Sequence, residues 1–233
     1  MAASWAAALS DVIGDNRWAG ERLARLADVE LELYARILRR FVAGRPPRAT
    51  DPELGRAGAA LARLVRHDLV QVDAAGNVAV AYPFCARPTR HRVRLAAGRS
   101  YWANCAVDAL GIPYLLGERG VIEATEPGSE RQITISVKPE TGTVRSEPAA
   151  ATVVIASSGD GCAAACACPH INLFTSRSAA ARHLAARGLR GSILDLADAA
   201  AAGRALFGDL GYLLGAPPDR ARSDGGARSA GLR

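Results

Sequence analysis

The stretch that most constrains this chain is Tyr101 to Gly117, YWANCAVDALGIPYLLG, an apolar run carrying one thiol and one carboxyl. Cys105 and Asp108 are three positions apart, and residues at i and i+3 share a helix face. The spacing therefore predicts a thiol and an acid pointing the same way into apolar surroundings. A lone cysteine on an apolar helix is most often plain core. The carboxyl changes that weighting, because in such surroundings it must find a partner or take up a proton. A thiol beside an acid is a nucleophile beside a proton source.

A second stretch, Cys162 to Phe174, CAAACACPHINLF, holds three of the five cysteines of the chain. If the fold brings Cys168 onto Cys105 and Asp108, the result is a pocket of two thiols and one carboxyl. Read alone, Cys162, Cys166, Cys168 and His170 form C-x3-C-x-C-x-H, a candidate soft-metal site for zinc or copper(I). The spacing is not that of a zinc knuckle, and a single histidine beside a proline more commonly just fixes a loop. Cys85, in AYPFCARP, is expected to be a half-buried loop thiol. An odd number of cysteines without an export signal argues against a disulfide framework and for reduced thiols.

The remaining segments predict an α+β protein. From Trp18 to Val42 apolar residues recur at helical spacing, GRPPR at Gly44 to Arg48 stops the run, and a further helix is expected over Glu53 to Asp68. LVQVDAAGNVAVAYPF alternates on both sides of Asp73–Asn77, a hairpin signal. Helices followed by a hairpin outline a winged-helix-like module. A strand near His91–Leu95 leads into the helix carrying Cys105, which Pro113 should end or restart. Segments Val121–Thr125, Gln132–Lys138 and Ala151–Ala156 read as antiparallel strands. HINLF is a short strand, Ser176 or Ser178 caps the helix AAARHLAARG, SILDL is a strand and ADAAAAGRALFGDL a last helix. The expected organisation is a winged-helix-like helical domain over 1–82, a mixed or antiparallel sheet domain flanked by helices over 83–216, and a disordered tail over 217–233.

The formal charge is +6, which could favour anionic partners. Four arginines against two aspartates put +2 of it in the Pro- and Gly-rich tail, leaving +4 elsewhere. The candidate recognition helix, Glu53–Asp68, has no Asn or Gln to read adenine edges, so nucleic acid is not the expected partner. No apolar run reaches the roughly 18 residues of a membrane span, and the N-terminus lacks a basic n-region. The expected location is the cytoplasm.

C-A-V-D within YWANCAVDALGIPYLLG, and C-P-H-I-N-L-F-T-S after a β-rich segment, resemble the two signature regions of the alkylmercury lyases. In that family an aromatic-rich stretch precedes a Cys-x-x-Asp helix, and a second cysteine lies about sixty residues on, shortly before a histidine. The matching positions are Cys105, Asp108 and Cys168, and the family also has a winged-helix-like N-terminal domain, which Met1–Pro83 resembles. The resemblance implies cleavage of carbon–mercury bonds by protonolysis, with Cys105 and Cys168 binding mercury and Asp108 moving a proton to carbon. Hg(II) would stay on these residues as bound product, no further cofactor would be needed, and the ion would pass to a mercuric reductase or to small thiols. Cys162 and Cys166 depart from the pattern as extra thiols beside the second ligand. Two other readings stand beside this one: a thiol- or metal-responsive winged-helix regulator, and a copper- or zinc-binding protein of related fold.

Overall fold

The computed structural model describes residues 5–13, 22–159 and 163–215. Cys162, residues 18–21 of the expected first helix and the expected tail over 217–233 lie outside the described residues.

After helix α1 (Trp5–Ile13), the N-terminal part contains α2 (Asp28–Val42), α3 (Pro52–Arg56) and α4 (Gly58–Arg66). The single helix expected over Glu53–Asp68 is thus two, broken at Ala57 (φ −100°, ψ 19°). Gly55 and Gly58 flank the break, and glycine is a poor helix former. Strands β1 (Val70–Val72) and β2 (Val78–Ala81) form the expected hairpin. Asp73 caps its turn, with one carboxylate oxygen accepting from the amides of Ala75 and Asn77 at 2.9 Å each, and Gly76 takes the left-handed position, φ +80°.

The hairpin does not stand apart as a wing. β2 pairs with β3 (Phe84–Cys85), which pairs with β5 (Ser100–Ala103), then follow β4 (His91–Leu95), β6 (Gly120–Thr125), β7 (Gln132–Lys138) and β8 (Thr143–Glu147) in one eight-stranded sheet. The expected boundary at 82/83 therefore falls between two hydrogen-bonded strands, Ala81 lying opposite Phe84. Every pairing in this sheet is antiparallel. A second, three-stranded sheet has β9 (Thr152–Ala156) between β10 (Asn172–Phe174) and β11 (Gly191–Asp195), again antiparallel. The mixed-sheet expectation therefore resolves to antiparallel throughout the described residues. β5 and β8 lie outside the expected strands: Ser100–Ala103 falls in the stretch that leads into the helix carrying Cys105, and TVRSE at β8 has little apolar alternation.

Helix α5 (Ala106–Leu116) runs through the centre, with every residue buried except Tyr114 and Leu116. Pro113 neither ends nor restarts it; the helix continues to Leu116 and closes on Gly117 at φ +61°. The lost hydrogen bond is tolerated because the ring packs over β6, where a Cβ on Gly120 would lie 3.0 Å from Pro113 Cγ. Tertiary packing overrides the local penalty of an interior proline. After α6 (Ala163–Cys166), a 3-10 turn (Cys168–His170) and α7 (Arg177–Arg187), helix α8 (Leu196–Phe207) packs on α5. The helix backbones meet at Gly111 and Gly203; a Cβ on Gly203 would lie 2.8 Å from the Gly111 nitrogen and 3.0 Å from the Val107 oxygen. Gly203→Ala should therefore force the helices apart and lower stability by about 1–3 kcal/mol, the usual range for overpacking, as measured by urea denaturation. No helix of the described residues is long and apolar enough to cross a membrane.

Candidate active site

Cys105 is not inside helix α5 but caps it. Its backbone is extended (φ −147°, ψ −179°) and its sulfur accepts the Asp108 amide at 3.5 Å. Asp108 is then the third residue of the helix, so the pair occupies the two side-chain positions of a capping box, with a thiol where Ser or Thr usually stands. Side chains at these positions face each other across the helix start. The juxtaposition expected from i, i+3 spacing is therefore present, but it arises from cap geometry. A carboxylate in the first turn also meets the positive end of the helix dipole.

The second thiol arrives from the cysteine-rich loop. The Ala106 amide donates to the Ile171 carbonyl at 3.0 Å, tying the start of α5 to the end of the Cys168–His170 turn. The turn is closed by His170 N–H to the Ala167 carbonyl, 2.8 Å. Upstream, the Ala163 amide donates to Asp68 at 2.9 Å, and Asp68 also pairs with Arg22 at 3.4 Å. The loop is therefore held from both sides. The sulfurs of Cys105 and Cys168 and a carboxylate oxygen of Asp108 all lie within 4.8 Å of one another. All three residues are buried, with 3%, 5% and 4% of their surface exposed.

Burial governs the charge state. It pushes the Asp108 carboxyl up to about 7, against hydrogen bonds from Cys105, while the charge of Asp68 adds to the rise. The Cys105 thiol is pushed well above its ordinary value, first by burial, then by its hydrogen bond with Cys168 and the nearby charge of Asp108. The Cys105 sulfur accepts the Asp108 amide, and among the described residues Asp108 Oδ2 has no hydrogen-bond partner. The groups face a cavity of about 60 Å³, room for one or two waters or a small apolar group. Leu9, Arg22, Leu69 and Tyr82 cover it from the N-terminal part, and Leu206 and Phe207 from α8.

Among the described residues the grouping of metal-ligating side chains is Cys105, Asp108 and Cys168, without Cys166 and His170. Cys166 and His170 are partly exposed, and Cys85 is half-buried on β3. Arg22, Asp68 and Tyr82 carried no local signal of a place at the site; their position depends on how the N-terminal part folds over it.

Two buried thiols and a carboxyl whose pKa lies near neutrality are a donor set that suits a soft metal ion, beside a group able to carry a proton. A model of the alkylmercury lyase family matches residues 84–208. The alkylmercury lyase of Pseudomonas putida is 30% identical over 152 residues, 64% of this chain and 70% of that protein. That of Staphylococcus epidermidis (strain ATCC 12228 / FDA PCI 1200) is 32% identical over 112 residues, 48% of this chain and 50% of that protein. The match thus spans about half the length of the second relative. The solved structure of the mercury-bound form of MerB2 shares the fold, with a TM-score of 0.68 at 20% identity over 84% of this chain and 96% of that one. The chain belongs to the alkylmercury lyase family.

Proposed function

We propose that this protein cleaves organomercurials by protonolysis, with Cys105 and Cys168 as the mercury ligands and Asp108 as the proton carrier. The observation that carries this reading is the approach of three buried ligand atoms to within 4.8 Å. Two soft ligands on one ion lie within roughly 5 Å of each other, since the metal–sulfur bonds are somewhat longer than the ~2.3 Å of zinc. Mercury(II) is a very soft cation and thiolates suit it best.

In this reaction R–Hg–X enters the cavity and its mercury forms bonds to both sulfurs. One thiol proton leaves with the displaced ligand X, and the carboxylate form of Asp108, present near neutral pH beside the protonated form because its pKa is about 7, takes the other. The two thiolates make mercury electron-rich and weaken its bond to carbon. As that bond breaks, its electron pair takes the proton from Asp108, giving R–H, and mercury stays Hg(II) throughout. The step consumes no cofactor. A dithiolate-bound ion leaves by exchange with external thiols, those of a mercuric reductase or small thiols in a reducing cytoplasm. The N-terminal helices and hairpin, read as winged-helix-like, serve in this account as the cover of the cavity.

Methane release from methylmercury chloride in excess thiol tests the reading; folded, reduced protein that releases none would overturn it. Cys166→Ser should keep turnover within about twofold, because a partly exposed thiol outside the cluster carries no transition-state contact. A DNA-reading regulator is not favoured, since Arg63 on α4 is engaged by Glu30. A copper or zinc site through Cys166 and His170 is not favoured either, as both stand outside the cluster.

A further inference from the structure

One buried group of the same cavity has no part in the reaction written above. Tyr82 lines the cavity with Cys105, Asp108 and Cys168. It is 7% exposed, and among the described residues its buried hydroxyl has no hydrogen-bond partner. Buried hydroxyls are nearly always bonded, and an exception calls for a functional or structural reason.

Its position is fixed by the backbone. The fully buried Tyr34 donates its hydroxyl proton to the Tyr82 carbonyl at 3.0 Å, and the Tyr82 amide donates to the Leu69 carbonyl at 3.4 Å. Along the β3–β5 ladder Phe84 lies opposite Ala103, and the Asn104 amide donates to the Pro83 carbonyl at 3.3 Å. Tyr82 and Cys105 both line the cavity that follows. Burial raises the Tyr82 hydroxyl well above its ordinary value, and the nearby charges of Cys168, Asp68 and Asp108 add to the rise.

Resting on the lyase reading, we propose that Tyr82 is a positioning residue of the reaction: its hydroxyl, buried and unpartnered among the described residues, donates a hydrogen bond to the Cys168 sulfur once that sulfur holds mercury. When mercury displaces the thiol protons, each sulfur keeps part of a negative charge in a cavity with few polar groups. Hydrogen bonds to charged acceptors are the strong ones, and a low local dielectric strengthens them further. The phenol proton stays on its oxygen throughout, and Asp108 remains the proton carrier.

Tyr82→Phe keeps the ring and removes only the oxygen. With methylmercury as substrate, kcat should fall roughly tenfold while KM stays within about twofold, as expected when a bond to a charged group is lost. A variant with wild-type kcat would overturn the proposal, because a purely structural hydroxyl would alter stability and leave turnover alone. A second readout needs no variant and stands if Tyr82→Phe does not fold. Loading wild-type protein with mercuric chloride should shift one tyrosine ring doublet in the Raman difference spectrum toward a hydrogen-bond donor, and an unchanged doublet would overturn the proposal. Wild-type protein that releases no methane refutes the lyase reading instead, and the Raman experiment then decides on Tyr82 by itself.

Discussion

Replacing Cys105 or Cys168 by serine abolishes hydrocarbon release from methyl- and phenylmercury, a loss of more than about a thousandfold in kcat for either variant, because the residues of one reacting unit fail together. Serine keeps size and hydrogen bonding but replaces a soft ligand by a hard one, which mercury(II) does not favour. The double variant should be no worse than either single one, since one remaining thiolate cannot make the metal electron-rich enough to release carbon. Gas chromatography of methane or benzene measures this. A Cys105→Ser protein with wild-type turnover would remove Cys105 from the mechanism. The fold itself should survive, because serine is a strong helix N-cap and Cys105 already occupies that position.

Asp108→Asn should separate binding from cleavage. Both thiols remain, so the variant holds the organomercurial through gel filtration, but no acid hands a proton to carbon. Hydrocarbon release should fall by about 10²- to 10⁴-fold, the usual contribution of a positioned general acid. Loss of retention together with cleavage would instead make Asp108 primarily a ligand. The same substitution has a pH-dependent effect on stability. Burial raises the Asp108 pKa from 3.8 to about 7, so between these values the folded state holds a proton that the unfolded state has released. Stability conferred by the protonated form is thus full below pH 3.8 and is lost as pH rises toward 7. By linkage this loss reaches at most about 4 kcal/mol, at ~1.36 kcal/mol per pKa unit. Asparagine does not ionise, so Asp108→Asn should be more stable than wild type in urea at pH 8, with the gain vanishing near pH 4.

The local elements were the most legible in the sequence. Gln132–Lys138 and His91–Leu95 are strands at the residues expected, with buried and exposed positions alternating along each. The Asp73–Asn77 turn and the Ser176 cap also formed as their side chains dictated. These signals depend on neighbours a few residues away. Pro113 stays inside its helix through packing over Gly120 that is not local, and nothing in residues 69–82 announces that β3 continues the hairpin into the sheet.

By itself the sequence determined the chemistry of the site: a thiol three residues before an acid in an apolar run, and a second thiol ahead of a short strand. Spacing and side-chain type suffice for that, because a helix start holds its cap and its third residue together whatever lies around them. Only the tertiary structure decided that Cys168 rather than Cys166 reaches Cys105, since that depends on the Ala106–Ile171 bond across sixty-five residues of chain. It also decided that the Asp108 carboxyl is raised to about 7 and that Tyr82 lines one cavity with Cys105 and Cys168. Both follow from burial under the N-terminal helices and α8, and burial is a property of the assembled core.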